Sequence, residues 1–274
     1  MLRRKPIWFV WMLCSITLLL SGCGPGTAPA GPLPALSLIG MGLGLGDLLR
    51  PDGAARLYAY LKEIVGAGYA KEVRLVLDRN WEKAGMPSLE SVASTLQGLG
   101  FKLIPVFFQG VMSGQVLDID AEVAWLREAL PKIKDCCLAA EFWNEPANPQ
   151  IGPVVMVVPD APMFAAFHNA MAKAVRELAP GLPILGPSVM GKTSWGWWEA
   201  VRGLIDYNIV SSHVYGVGDI YNPNYGSLDG HDKPVWVTEA GQLSYWRPWH
   251  QKYLLFPWNS PDPWARRPGG GILA

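Results

Sequence analysis

From residue 35 onward, short apolar runs alternate with longer segments whose apolar residues recur at helical spacing. Two of the runs end in a glutamate followed at once, or after one residue, by a Pro or Gly that stops them. Such alternation marks βαβ units and a parallel sheet, and strands this apolar suit a sheet covered on both faces. Seven runs, right-handed crossovers and no second zone of composition predict an α/β protein. Its expected form is a (β/α)8 TIM barrel, incomplete or irregular at the C-terminal eighth unit. A doubly wound open sheet is the alternative. Gly40-Met41-Gly42-Leu43-Gly44-Leu45-Gly46 is glycine-rich, but it lacks an acidic partner that would make it a nucleotide fingerprint.

Leu36–Met41 is the first expected strand. Ala54–Val65 follows as a helix with Leu57, Leu61, Ile64 and Val65 on one stripe. Val73–Leu77 and Lys102–Phe108 are the next two strands, followed by helices at Leu89–Leu99 and Ala121–Ile133. Cys137–Trp143 is the fourth strand and runs into Asn144-Glu145-Pro146. Pro162–Leu178 is a long helix, since proline suits a first helical turn and Pro180-Gly181 follows its end. Pro183–Leu185 begins the fifth strand, Trp197–Ile205 forms a helix, and Ile209–Val214 and Val235–Thr238 are strands six and seven.

After Glu239 come Pro248, Pro257, Pro261, Pro263 and Pro268, then Gly269-Gly270-Gly271. A βα unit plus a further strand needs roughly 30 residues, and this segment shows no clear eighth strand or helix. The chain is expected either to close irregularly or to be truncated or frame-shifted near its end, the second being favoured.

The N-terminus reads as an export signal. Met1-Leu2-Arg3-Arg4-Lys5 is a positive n-region, and Ile7 to Leu20 is an apolar stretch too short for an ordinary spanning helix. It ends in Leu20-Ser21-Gly22-Cys23, which resembles the lipobox of bacterial lipoproteins. That resemblance implies cleavage before Cys23, lipid attachment there, and a protein exported and anchored to the bacterial cell envelope, at the outer membrane or cell surface. An ordinary secretory signal with an incidental Cys is the alternative. Residues 1–22 are then the signal, 23–34 a Gly/Pro/Ala tether, and 35–274 the barrel domain.

The 274 residues are 50% hydrophobic, enough for one large core. A formal net charge of +0 gives no sign of a nucleic-acid partner. Thirteen Trp residues suit either sugar stacking or the filling of a core, and both uses are expected. Cys136 and Cys137 are adjacent, so they could pair only as a strained vicinal disulfide; buried free thiols are favoured. His168, His213, His231 and His250 show no paired metal-ligand spacing. No Gly-x-Ser-x-Gly elbow and no nucleotide or flavin loop occur, so neither metal nor cofactor is expected.

Glu145 and Glu239 carry the chemistry. Each follows an apolar strand, and in a parallel barrel the C-terminal strand ends form the reactive face. Strands four and seven lie roughly across that mouth, so two carboxylates there can flank one bond. A spacing of about 5–5.5 Å would give retaining glycoside hydrolysis by double displacement. The pKa of Glu145 is expected to be raised by a partly apolar wall and by the negative Glu239, as a proton donor would need. Trp143, two residues before Glu145, would share its face along an ideal strand, building that wall and binding substrate there. Arg74 would keep Glu239 ionised, or else form a structural pair with Glu72 or Asp78. Asn144 is placed to hold a sugar 2-hydroxyl, or merely to cap its loop. His213 and Tyr215 share one side of their strand, and the Tyr hydroxyl could donate to Glu239. His213 as a satisfied core histidine is the duller alternative. Trp81, Phe108, Gln109, Trp195, Trp197, Trp198, Tyr221 and Tyr225 lie after strands, where substrate loops sit.

These motifs together resemble the clan A glycoside hydrolases, the (β/α)8 enzymes that include cellulases, β-mannanases and β-xylosidases. Glu141-Phe142-Trp143-Asn144-Glu145-Pro146 is similar to that clan's fourth-strand signature, and Val235-Trp236-Val237-Thr238-Glu239 to its seventh-strand nucleophile segment. Ser212-His213-Val214-Tyr215 matches the sixth-strand His-x-Tyr, and Val73-Arg74-Leu75 the second-strand Arg. The resemblance implies Glu145 as acid/base, Glu239 as nucleophile, Glu141 as a brace, and a carbohydrate substrate. Two alternatives use the same chain: a transglycosylase with these residues, and a catalytically weak glycan-binding barrel lipoprotein, the latter suggested by the missing eighth strand.

Overall fold

The computed structural model describes residues 39–43, 71–77, 79, 81, 87–108, 110–151, 154–190, 194–214, 233–240 and 252–255. The signal, the tether with Cys23, the helix expected at 54–65, and Gln109, Tyr215, Tyr221 and Tyr225 lie outside the described residues. So does the Pro/Gly-rich segment after residue 255.

The strands in chain order are β1 (Ile39–Leu43), β2 (Glu72–Leu77), β3 (Lys102–Phe107), β4 (Gln150–Ile151), β5 (Val154–Val155), β6 (Val189–Met190), β7 (Val210–Val214), β8 (Val235–Ala240) and β9 (Lys252–Leu255). β4 and β5 form a separate antiparallel hairpin. The other seven make one sheet in the order β3-β2-β1-β9-β8-β7-β6, with parallel ladders throughout.

Two features depart from expectation. β9 occupies the place of the strand that sequence patterning did not reveal, with Tyr253 paired to Ile39 on one side and Val237 on the other. The fourth strand expected over 137–143 is instead a series of isolated parallel bridges. Cys137 and Glu141 bridge to Leu103 and Val106, Ala140 to Ile184, and Leu185 to Ile209. The arc from β3 to β7 through residues 137–141 and 184–185 is thus carried by single bridges rather than continuous ladders.

Helices α1 (Leu89–Leu99), α2 (Ile119–Ile133), α3 (Ala161–Leu178) and α4 (Trp195–Val201) connect the strands. The first three begin at side-chain caps. Ser88 accepts from Ser91 N, Asp118 from Ala121 N and Asp160 from Met163 N, each satisfying an otherwise orphaned donor of the first turn. α1 ends at Gly100 with φ 75, and Phe101 N reaches back to the Leu96 carbonyl. That left-handed stop suits glycine because a Cβ is penalised there.

Side-chain parity separates two layers. Val73, Leu75, Leu103, Phe107, Ala140, Phe142, Ile184, Val210 and Val237 pack in one cluster with the helices. Ile104, Ala139, Leu185, Ile209 and Trp236 form a second, smaller cluster with no helix residue, so they lie on the opposite, inner face. Successive strand residues alternate faces, which places Arg74, Glu141, Ser211 and His213 on that inner face as well. The inner face is therefore apolar at its base and polar toward the strand ends.

Candidate active site

Arg74 organises the polar layer. Its Nε and Nη2 donate to Glu141 Oε2 and Oε1 at 2.9 and 3.0 Å. Nη2 also donates to Asn144 Oδ1 at 2.9 Å, and Nη1 donates to Glu239. Arg74 and Glu141 are almost wholly buried. Desolvating such a pair is costly, and only near-complete hydrogen bonding offsets the cost; a guanidinium fork meeting both oxygens of Glu141 supplies it.

The two candidate catalytic carboxylates meet at His213. Its Nδ1 lies 2.7 Å from Glu145 Oε1 and 3.7 Å from Glu239 Oε2. One oxygen of Glu145 and one of Glu239 lie within 4.8 Å of each other. Asn148 Nδ2 donates to Glu145 Oε2 at 3.0 Å, and Ser188 Oγ accepts from Glu145 N at 3.0 Å. Glu145 stands at φ 47, with Trp143 at φ 68 and Phe108 at φ 133. Left-handed conformations at three non-glycine residues cost of order 1–3 kcal/mol each and cluster at functional sites.

A divalent cation would fit the size of the Glu145, His213 and Glu239 cluster. It would have to displace the direct His213–Glu145 bond and compete with Arg74 on Glu239, so the donor set is a hydrogen-bonded network rather than a metal cage.

Against solved structures, the exo-β-1,4-mannosidase from Opitutaceae bacterium strain TAV5 superposes with TM-score 0.58 at 16% identity, over 81% of this chain and 51% of the mannosidase. The chain thus spans about half the length of that protein. The β-glycosidase BGL167 gives 0.57 at 14% identity, covering 84% of this chain and 88% of the other. The endo-1,4-β-mannanase from Rhizomucor miehei gives 0.56 at 13%, covering 78% and 81%. No protein-family model and no curated protein matches the sequence. The fold is similar to that of these (β/α)8 glycoside hydrolases.

On that fold, Arg74, Asn144, Glu145, His213 and Glu239 are brought together in one hydrogen-bonded cluster, with Glu141 bonded to Arg74. Among the described residues, Glu141, Asn144 and Glu239 are partners of Arg74 inside the site. Tyr215 lies outside the described residues.

Trp143 goes elsewhere. Its positive φ takes it off the strand pleat, and the ring packs edge-on against Phe108 and Phe167 at 5.0 and 5.4 Å. At 1% exposure it offers no face to a sugar, so its expected substrate-binding role is corrected to a structural one. Trp81, Phe108 and Trp198 are buried in the core too, and the Trp197 indole donates to Pro159 O.

The expected pKa of Glu145 is also corrected. Burial is the largest influence and raises it, but the His213 hydrogen bond and charge, the Asn148 amide and the Arg74 charge together hold it below the ordinary carboxylate value. The donors come from β7, from Arg74 and from the loop after Pro146, and together they outweigh burial.

Asn148, Ser188 and Gly110 were missed. Asn148 follows the Glu145-Pro146 turn by two residues, and a short polar amide at a turn was the available signal. Ser188 had none. Gly110 sits at φ 132, where a Cβ would meet Met156 Cε at 2.7 Å and Trp143 Nε1 at 3.0 Å. Cys136 and Cys137 are free thiols, and both sulfurs donate to the Ile133 carbonyl.

Proposed function

We propose that the protein is a retaining β-glycoside hydrolase, with Glu145 as acid/base and Glu239 as nucleophile, on a barrel whose eighth strand is β9. The observation that carries this reading is the approach of one oxygen of each carboxylate to within 4.8 Å, with one histidine nitrogen between them. Double displacement uses carboxyls about 5–5.5 Å apart, whereas inversion needs about 6.5–9.5 Å to admit a water. Glu239 accepts a hydrogen bond from the Arg74 guanidinium, which holds the attacking carboxylate in place for the anomeric carbon. Glu145 protonates the departing oxygen and then, as the base, takes a proton from the water that releases the glycosyl-enzyme.

Asn144 is anchored by Arg74 at Oδ1 and by its own backbone N to the Phe108 carbonyl. Its Nδ2 then serves a sugar hydroxyl beside the reacting carbon. The substrate class is an oligo- or polysaccharide, and the lipobox-like segment at Cys23 supports an enzyme held at the cell envelope on a lipid tether. That β9 stands where a strand had been thought missing supports the hydrolase reading over a glycan-binding barrel.

The test is hydrolysis of aryl β-glycosides. Glu239→Ala should abolish turnover, and azide should restore it with an α-glycosyl azide as product. Turnover by Glu239→Ala at the wild-type rate would overturn the assignment. Replacing Cys23 by Ser should move the protein from the membrane to the soluble fraction.

A further inference from the structure

Glu145 is held on every side that the described residues present. Its backbone N–H is fixed by Ser188, its carbonyl by Asn148 N at 2.9 Å, Oε1 by His213 and Oε2 by Asn148 Nδ2. Asn148 contacts both the backbone and the carboxylate of Glu145, closing a turn around it. Because the residue sits at φ 47, that turn maintains a backbone conformation that glutamate disfavours.

An acid/base must alternate between a carboxylate, which accepts at both oxygens, and a carboxylic acid, which also donates. A partner able to serve both states must carry a donor and an acceptor. A side-chain amide has both, separated by a half-turn about its last torsion. We propose that Asn148 is the positioning residue of the acid/base, donating from Nδ2 to the Glu145 carboxylate and turning over to accept at Oδ1 from its acid form. This rests on the glycosidase reading of Glu145. The proton on Glu145 passes to the leaving-group oxygen as the glycosidic bond breaks; on turning the amide back, Nδ2 stabilises the carboxylate left behind.

The charged and titratable groups facing Glu145 are His213 on β7, Glu239 on β8 and Arg74 on β2, with Glu141 behind Arg74. None of these lies on the turn, so Asn148 can be changed without altering them.

The experiment uses the full chain and phenyl and 2,4-dinitrophenyl β-glycosides in the gluco, manno and xylo series. Asn148→Asp is nearly isosteric and sets a negative charge beside Oε2. It should raise the basic limb of the kcat/KM profile by about one pH unit, the shift expected for adjacent like charges. Asn148→Ala should lower kcat on the phenyl glycoside about tenfold while leaving the dinitrophenyl glycoside, which needs little protonation, within about twofold. Wild-type limbs and an unchanged leaving-group dependence in both variants would overturn the inference. Glu145→Ala is the control for the underlying reading, because equal losses on both leaving groups would remove the acid assignment itself. Carboxyl-labelled glutamate NMR gives a readout independent of turnover. The Glu145 resonance should titrate higher in Asn148→Asp than in wild type, and coincident titrations would count against Asn148 in any case.

Discussion

His168 should make the fold sensitive to mild acid through a single buried ring. Nε2 sits 3.0 Å from the Asp206 carbonyl, and the ring packs against Phe142 and Phe164. Burial among these rings outweighs the Asp206 carbonyl and carboxylate and lowers the pKa from 6.5 to about 4. Between those two values the unfolded chain binds a proton that the folded chain refuses. Stability is therefore fully present above pH 6.5 and falls as pH drops toward 4. A tenfold difference in proton affinity between the two states is worth about 1.4 kcal/mol, so the whole window amounts to roughly 3 kcal/mol, most of it already lost by pH 4.5. His168→Gln keeps an amide donor for the carbonyl and cannot titrate. Urea unfolding followed by Trp fluorescence at pH 7.5 and pH 4.5 should show wild type losing about 2.5 kcal/mol more than the variant between the two. Other groups also titrate over this range, and they cancel in the comparison. If the two proteins lose stability in parallel, the ring is not a neutral buried histidine and the reasoning is wrong.

Other perturbations follow from the same contacts. Gly110→Ala would drive a methyl into Met156 and Trp143 at a φ that only glycine tolerates well; a loss of about 1–3 kcal/mol is expected, with a change in Trp emission, and an unshifted Tm would contradict it. Arg74→Met leaves Glu141 and Glu239 as uncompensated buried carboxylates, so unfolding free energy should fall by about 3–5 kcal/mol. Adding Glu141→Leu should recover part of that loss without recovering activity. A double variant no more stable than the single one would show that Glu141 does not depend on Arg74.

Much of the architecture was legible in the sequence, because apolar strands and capped helices are local patterns. Val73–Leu77, Leu89–Leu99 and Lys102–Phe107 fall within a residue of expectation. β9 escaped because Lys252–Leu255 is only four residues long and sits between prolines. It exists through its two neighbours, a non-local cause that no window of sequence contains. Trp143 and the pKa of Glu145 went astray for a related reason. Both were judged from chain neighbours, while the backbone turn and the donors from β7 and the Asn148 loop decide them.

The two carboxylates reach one pocket only because the strands break their own regularity. Trp236 lies on the inner face and Val237 on the outer. Thr238 is again inner, its hydroxyl 2.6 Å from that of Ser211. A regular pleat would then turn Glu239 outward, toward the helices. Instead the β7–β8 register slips, from Ser212 opposite Val237 to His213 opposite Glu239. The slip lets two consecutive residues, Thr238 and Glu239, face inward, as bulges characteristically re-aim a side chain. On the facing arc, Glu141 points inward by parity, and the chain must then leave the strand through Trp143 and Glu145 at positive φ. One carboxylate thus arrives by a slipped register and the other by a left-handed turn. Were β8 regular through this stretch, with Thr238 and Glu239 on alternate faces, Glu239 would turn outward and part from Arg74 while every catalytic side chain remained present in the sequence.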